Sequence, residues 1–477
     1  MTSELNFKPA HELAAAIRSK QLSPVELMQA CLDRIEETEP TLNAWMAKRE
    51  PDDLLAEAKA LEGRISAGED PGSLAGLPFG VKELDDLAGF PSTHASRAYA
   101  DRMPERDSVE VERLKNAGAI AIGKTSSPEF GYTAFTKNLL NGITRNPWNP
   151  ERTPGGSSGG SSASVSSGQT PFCTGSDGGG SIRIPACWTG LFGMKVSFGR
   201  VPMAPKDMIG WGDTSVHGPL VRTVRDAAIY IDAVAGTCEG DPTSLPYEGY
   251  KYADRLEQLP KKLRIAWSPD LGYAAVEPDV IRECLAGVQA FRDMGHEVEE
   301  VGQIFDDTGS MWSRLGGVET YAYIYDRIES HRDDFGRAFL SGTELAADVT
   351  WDSYGRAQTR RAKLVNDLWR FFEKYDLLLT PTLPIEAIDA RGAWPTHIAG
   401  KELENPLHVV AFTYPFNLSG HPAASVRTGF SDTGMPLGLQ IVGPRHRDDL
   451  VLQASYAFEQ ARPWNDRWPV KVPEFVG

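Results

Sequence analysis

The stretch Gly155-Gly156-Ser157-Ser158-Gly159-Gly160-Ser161-Ser162-Ala163-Ser164-Val165-Ser166-Ser167-Gly168-Gln169-Thr170-Pro171-Phe172-Cys173-Thr174-Gly175-Ser176-Asp177-Gly178-Gly179-Gly180-Ser181 decides whether the chain is one body or two. Of its 27 residues nine are Gly and nine are Ser, the composition of a flexible linker. Two features oppose that reading. The stretch is not repetitive and carries one acid, Asp177. It also runs straight into Ile182-Arg183-Ile184-Pro185-Ala186-Cys187-Trp188, which is apolar. The small residues Ser161 to Gly168 suit a helix packed tightly against a neighbour. The stretch is read as core, and residues 1–477 as a single α/β domain.

Outward from it, helix and strand signals alternate. Ser23-Pro24-Val25-Glu26 reads as a capping box with Pro in the first turn. Leu27, Cys31 and Ile35 then repeat on one helical face until Pro40. A second helix is expected over 52–65, and others over 108–117, 221–235, 278–293 and 352–374. Short apolar runs at 76–84, 119–122, 263–267, 377–380, 423–426 and 437–442 read as strands. This alternation predicts a largely parallel or mixed sheet. The N-terminal helical part covers about 1–70, the core about 75–225, and the C-terminal part about 226–477.

The 477 residues carry 49 Lys and Arg against 65 Asp and Glu, a net charge of −16. Acidity without a basic run speaks against nucleic acid as a partner, since phosphate contact needs clustered cations. It also speaks against an anionic membrane surface. No apolar run approaches the ~20 residues of a bilayer span, and Met1 to Lys20 lacks a signal-peptide stretch. Five scattered cysteines with no CxxC point to reduced thiols and a cytoplasmic location. No HExxH or Cys/His cluster suggests a metal.

Two motifs match patterns whose context they lack. Gly118 to Thr125 fits GxxxxGK[ST], but the residues between its glycines are themselves an apolar strand. Gly155-Gly156-Ser157-Ser158-Gly159 fits the GxSxG nucleophile elbow, but the preceding run 146–154 holds three prolines and no strand.

Gly178-Gly179-Gly180-Ser181 is different. Successive glycines let backbone N–H groups converge on one point, as an oxyanion requires. None of the nine histidines stands in a triad signature. Lys82 lies inside an apolar strand, where a charged amine is costly unless paired. Burial can lower a lysine pKa far enough to free the amine as a base.

Together these residues resemble the amidase signature family. The likeness rests on Gly80-Val81-Lys82-Glu83, on Pro154 to Ser161 after Asn146-Pro147-Trp148-Asn149, and on Ser181 in its Gly-Gly-Ser-Ile-Arg-Ile-Pro context. It extends through His217-Gly218-Pro219-Leu220, Leu379 to Thr382, Pro415 to Gly420 and Gly438 to Gly443. The resemblance implies a twisted mixed central sheet flanked by helices on both faces. It implies a Ser–cis-Ser–Lys triad: Ser181 the nucleophile, Ser157 the bridging serine behind a cis Gly156–Ser157 peptide, and Lys82 the base. Gly178, Gly179, Gly180 and Ser181 would form the oxyanion hole, with Asp177, Arg183 and Ser158 in support. No cofactor is implied. Glu83, Ser126 and Val196-Ser197 depart from the commoner Asp, Asn and Pro-Thr.

Leu407-His408-Val409-Val410-Ala411 carries no acid where the glutaminase subunit of the tRNA amidotransferase usually has one. The chain looks more like amidases of small aryl, cyclic and xenobiotic amides, urethane-cleaving relatives included. The expected substrates are small uncharged amides, anilides first and carbamates next. Gly131, Tyr132 and Trp211 are candidates for the substrate pocket, and a homodimer for the assembly. The alternatives are a non-catalytic binding protein on the same fold, an elbow-type esterase and the glutaminase subunit.

Overall fold

The computed structural model describes residues 2–205 and 212–475. One mixed sheet of 11 strands organises the single domain. In chain order its strands are β1 (Trp45–Lys48), β2 (Pro78–Lys82), β3 (Ile120–Thr125), β4 (Phe172–Asp177), β5 (Phe192–Lys195), β6 (Val216–Val221), β7 (Arg264–Trp267), β8 (Glu297–Glu300), β9 (Leu377–Pro381), β10 (Ala423–Phe430) and β11 (Pro436–Val442). Their spatial order is β1-β3-β2-β4-β6-β5-β10-β11-β9-β7-β8. The β3-β2-β4 and β9-β7-β8 ladders are parallel and the rest antiparallel. Strands from the N-terminal and C-terminal parts thus share one sheet.

Side-chain alternation shows that both faces are covered. Ile265, Trp267, Leu377 and Leu379 point into one apolar cluster, which also takes in residues of the helices Pro24–Leu42, Val224–Val234 and Asp448–Ala461. Ala266 and Leu378 point into a second, with residues of the helices Gly309–Ile328 and Trp351–Phe372.

The Gly/Ser stretch is interior except at Ser176, Gly178 and Ser181, which are partly exposed. It yields the fully buried helix Gly159–Ser166, then β4, then the turn into the helix Arg183–Thr189. Several local expectations change. Pro40 lies inside its helix, which ends at Leu42 with Asn43 left-handed. The Ser23 hydroxyl oxygen accepts from Val25 N–H and donates to Glu62, so it does not form the expected box with Glu26. Val221 closes β6, and the helix expected from there begins at Val224, capped by Thr223. The strands β4, β5 and β6 carry no sequence signal. They are buried on both faces, so alternation is absent, and β6 contains Gly218 and Pro219.

Candidate active site

β2 lies between β3 and β4, parallel to both, and ends on Lys82. Its side chain is fully buried. Lys82 Nζ lies 2.9 Å from Ser157 Oγ, 2.8 Å from Ser176 Oγ and 3.1 Å from the Ser176 carbonyl oxygen. Burial, opposed by Asp85, Asp177 and Glu110, lowers the amine to about 8. Ser157 precedes the helix Gly159–Ser166 and follows a cis peptide from Gly156.

Ser181 ends the glycine turn after β4. Ser158 N–H donates to its carbonyl oxygen at 3.3 Å, tying the two serine loops together. Ser158 Oγ is 3.4 Å from the Ser176 carbonyl oxygen. Ser157 and Ser181 open on one cavity of about 310 Å³. No hydrogen bond joins their two hydroxyls in this structure, so the geometry links Lys82 to Ser157 and leaves Ser181 beside them.

Asp177 shapes the turn. Its Oδ1 accepts from Gly180 N–H at 2.7 Å and its Oδ2 from Ile182 N–H at 3.1 Å. The Arg183 guanidinium meets both oxygens, at 2.9 and 3.0 Å. Burial alone would raise this carboxyl, but Arg183 and Asn417 hold it well below the usual carboxylate range. The Gly180 N–H is therefore committed to Asp177, and of the four expected oxyanion donors it drops out. The N–H groups of Gly178, Gly179 and Ser181 meet no acceptor among the described residues. Gly180 itself has φ +130°, and a Cβ there would sit 2.4 Å from Thr413 Oγ1. No other residue fits.

Gly131 and Tyr132 line the cavity, and Trp211 falls outside the described residues. Ala134, Ile184, Trp312, Trp394, Leu407 and Val410 give one wall an apolar surface. Trp312 has no sequence signal because it comes from a helix, Gly309–Ile328, that shows no clear period. Its indole Nε1–H donates to the Gly178 carbonyl at 2.9 Å, and its ring stacks on Tyr414. Ser176 has no signal as a lysine partner either, because only β4 brings it to Lys82.

Two histidines reach the cavity, and neither suits a general base. Burial lowers His94 to about 3. Burial also opposes charge on His217, but Asp85 and Glu110 outweigh it and raise the ring to about 10. Asp85, Glu110 and His217 form the one cluster with metal-ligand atom types found among the described residues. The two look-alike motifs resolve plainly. Lys124 sits within β3, and its ammonium bonds Ser92 Oγ at 3.0 Å and the Asp85 carbonyl. Ser157 follows a loop, as the run before it implied.

Fold and site define a carbon–nitrogen hydrolase, and comparison with known proteins agrees. A family model described as "Amidase" matches residues 26–452. The chain is 36% identical over 470 residues to an acylamidase of Rhodococcus erythropolis, covering 98% of each. It is 32% identical over 492 residues to the glutamyl-tRNA(Gln) amidotransferase subunit of Gloeobacter violaceus, covering 97% of this chain and 98% of that one. The crystal structure of a bacterial aryl acylamidase superposes with a TM-score of 0.90 at 33% identity, over 98% of this chain and 99% of that one. The chain belongs to the amidase family and is an amide-hydrolysing enzyme.

Proposed function

We propose that the protein hydrolyses small, largely uncharged amides, anilides first and carbamates next, through an acyl-enzyme on Ser181. The observation that carries this is the buried contact of Lys82 Nζ with Ser157 Oγ at the wall of the cavity that holds Ser181. The Ser181 hydroxyl turns toward Ser157 as substrate binds, a tightening common between free and bound sites. Its proton passes through Ser157 to neutral Lys82 while Ser181 Oγ bonds the carbonyl carbon. The resulting oxyanion takes hydrogen bonds from the free N–H groups of Gly178, Gly179 and Ser181. Lys82 returns the proton through Ser157 to the nitrogen, the C–N bond breaks, and the amine leaves. Water, deprotonated by the same relay, then releases the acid. Ser158, Asp177 and Arg183 hold the loops in place.

The apolar wall at Trp312, Trp394, Leu407 and Val410 supports an aryl or alkyl substrate over glutamine, whose side-chain amide is carried with a charged α-carbon end. All five cysteines are free and four are buried, which fits a reducing, cytoplasmic setting. Among the described residues no helix is long and apolar enough to cross a membrane.

The test combines a substrate panel with labelling. Anilides, aliphatic amides, carbamates and glutamine are assayed for released amine. A serine-directed fluorophosphonate is mapped by peptide mass. Labelling at Ser181 and release of aromatic amine are expected. Labelling at Ser157 alone would favour an elbow-type esterase, glutamine as the best substrate would favour the glutaminase, and no labelling would favour a binding protein.

A further inference from the structure

Three buried ionisable side chains next to Lys82 take no part in the steps above. The His217 ring sits between Asp85 and Glu110, with Nε2 3.1 Å from Asp85 Oδ1 and Nδ1 3.2 Å from Glu110 Oε2. The Nδ1–Oε2 contact lacks hydrogen-bond geometry, and each carboxylate accepts from a hydroxyl. Thr174 Oγ1 donates to Asp85 Oδ2 at 3.0 Å, and Tyr230 donates to Glu110 Oε1 at 2.6 Å. The cluster adjoins Lys82 through two routes. The Lys82 backbone N–H donates to the same Thr174 hydroxyl at 2.8 Å. His217 stands opposite Ser176 in the β4–β6 register, so the two side chains share a face, and Ser176 Oγ touches Lys82 Nζ.

The charges around Lys82 can be paired off element by element. Asp177 on β4 has Arg183. Glu83, next to Lys82, has Lys124 of β3 at 3.8 Å. Asp86 has Arg102 at 2.7 Å. Asp85, from the turn after β2, and Glu110, from the helix Val109–Asn116, both contact the ring of His217, and Lys124 also acts on the Asp85 carboxylate. Asp85, Glu110 and His217 each offer one ligand atom within 4.8 Å of the others, so the chelator arm of the test below separates a shared metal ion from a shared proton.

We propose that His217 is a positioning residue for the base. Its charge, clamped between Asp85 and Glu110, cancels much of their negative potential at Lys82 and so keeps the amine in the uncharged form the reaction uses. The inference rests on Lys82 being the base. The direction agrees with the amine's partners, since Asp85 and Glu110 both push Lys82 back toward its ammonium form.

The test is the pH dependence of kcat/KM on an anilide, which reports the free enzyme's base. The parent is expected to gain activity through a limb near pH 8. His217→Gln removes the cation beside the two carboxylates and should move that limb up by roughly one to two pH units, the size a unit charge about 6–12 Å away produces at an effective dielectric of ~20. Asp85→Asn should move it down, and the double variant should bring it back toward the parent. A His217→Gln enzyme that is slower at every pH with its limb unmoved, or moved down, overturns the proposal. Activity lost to a chelator and restored by zinc overturns it too. If His217→Gln does not fold, the sign of the Asp85→Asn shift decides alone, an unmoved or raised limb counting against. Lys82→Ala in the same assay tests the base itself. A dead Lys82→Ala with an unmoved His217→Gln limb removes only the role of His217, whereas an active Lys82→Ala removes the relay.

Discussion

Arg183 meets Asp177 twice from six residues downstream, Nε to Oδ2 at 3.0 Å and Nη2 to Oδ1 at 2.9 Å, with both side chains fully buried. The guanidinium also donates to the Thr413 carbonyl, Gln440 Oε1 and Asn417 Oδ1. The pair therefore pins the glycine turn to β11 and to the helix Tyr414–Leu418. Asp177→Asn keeps the shape but leaves a buried guanidinium uncompensated. Breaking such a pair costs about 3–5 kcal/mol, so the urea midpoint should fall markedly. The carboxyl titrates lower in the folded than in the unfolded state. Its stabilisation is present above about pH 4 and is lost as pH falls through the depressed folded value. The acid-unfolding midpoint of the parent should show this dependence, and that of Asp177→Asn should show less of it.

Lys82 gives the opposite linkage. Its amine titrates near 8 in the folded state and near 10.4 when unfolded. Folding is therefore penalised in full below about pH 8 and not at all above the unfolded value. Lys82→Met removes the penalty and should melt no lower than the parent at pH 7, while amide hydrolysis falls by about 10²–10⁴-fold with the loss of general-base catalysis. Calorimetry and an anilide assay on one preparation check both halves. A variant that is both unstable and inactive would mean that the amine is a structural group.

Trp312→Phe separates ring from donor. The phenyl ring keeps the stacking on Tyr414, whose ring centroid lies 5.6 Å from that of Trp312. The hydrogen bond to the Gly178 carbonyl is lost. That bond is worth about 1 kcal/mol net, and it orients the peptide that precedes the Gly179 N–H. The expected result is a kcat lowered about five- to tenfold with KM nearly unchanged. A changed KM with kcat intact would assign Trp312 to substrate packing.

The three residues proposed for the relay are legible in the sequence because each breaks a local rule. Lys82 is an amine in an apolar strand, and Ser157 and Ser181 stand among more glycines than a core tolerates without reason. The outer frame is legible where a period survives, as in the helix Pro278–Asp293. What stays hidden depends on distant pairing. β6, with Gly218 and Pro219 inside it, carries no strand signal until β4 and β5 flank it. Asp85 and His217 lie far apart in sequence, and nothing local pairs them, since only the fold brings them within 3.1 Å. The commitment of Gly180 N–H to Asp177 is likewise a matter of turn geometry that composition does not encode.

Gly131 offers a test of how tightly Ser157 is held. Its φ is +70°, and a Cβ there would lie 3.0 Å from Ser157 Oγ and 2.9 Å from Leu84 Cδ1. Gly131→Ala thus adds a left-handed backbone cost of about 1–2 kcal/mol, and it crowds the hydroxyl that touches Lys82. Leu84 can yield, being a side chain at the cavity wall, whereas Ser157 is tied through Ser158 to Ser181. A displacement of ~1 Å at a relay atom can cost about a hundredfold in rate. Gly131→Ala should therefore lose on the order of 10–100-fold in kcat while its melting temperature falls only slightly. Full activity in that variant would mean that the Ser157 hydroxyl moves freely, which a relay between Lys82 and Ser181 does not permit.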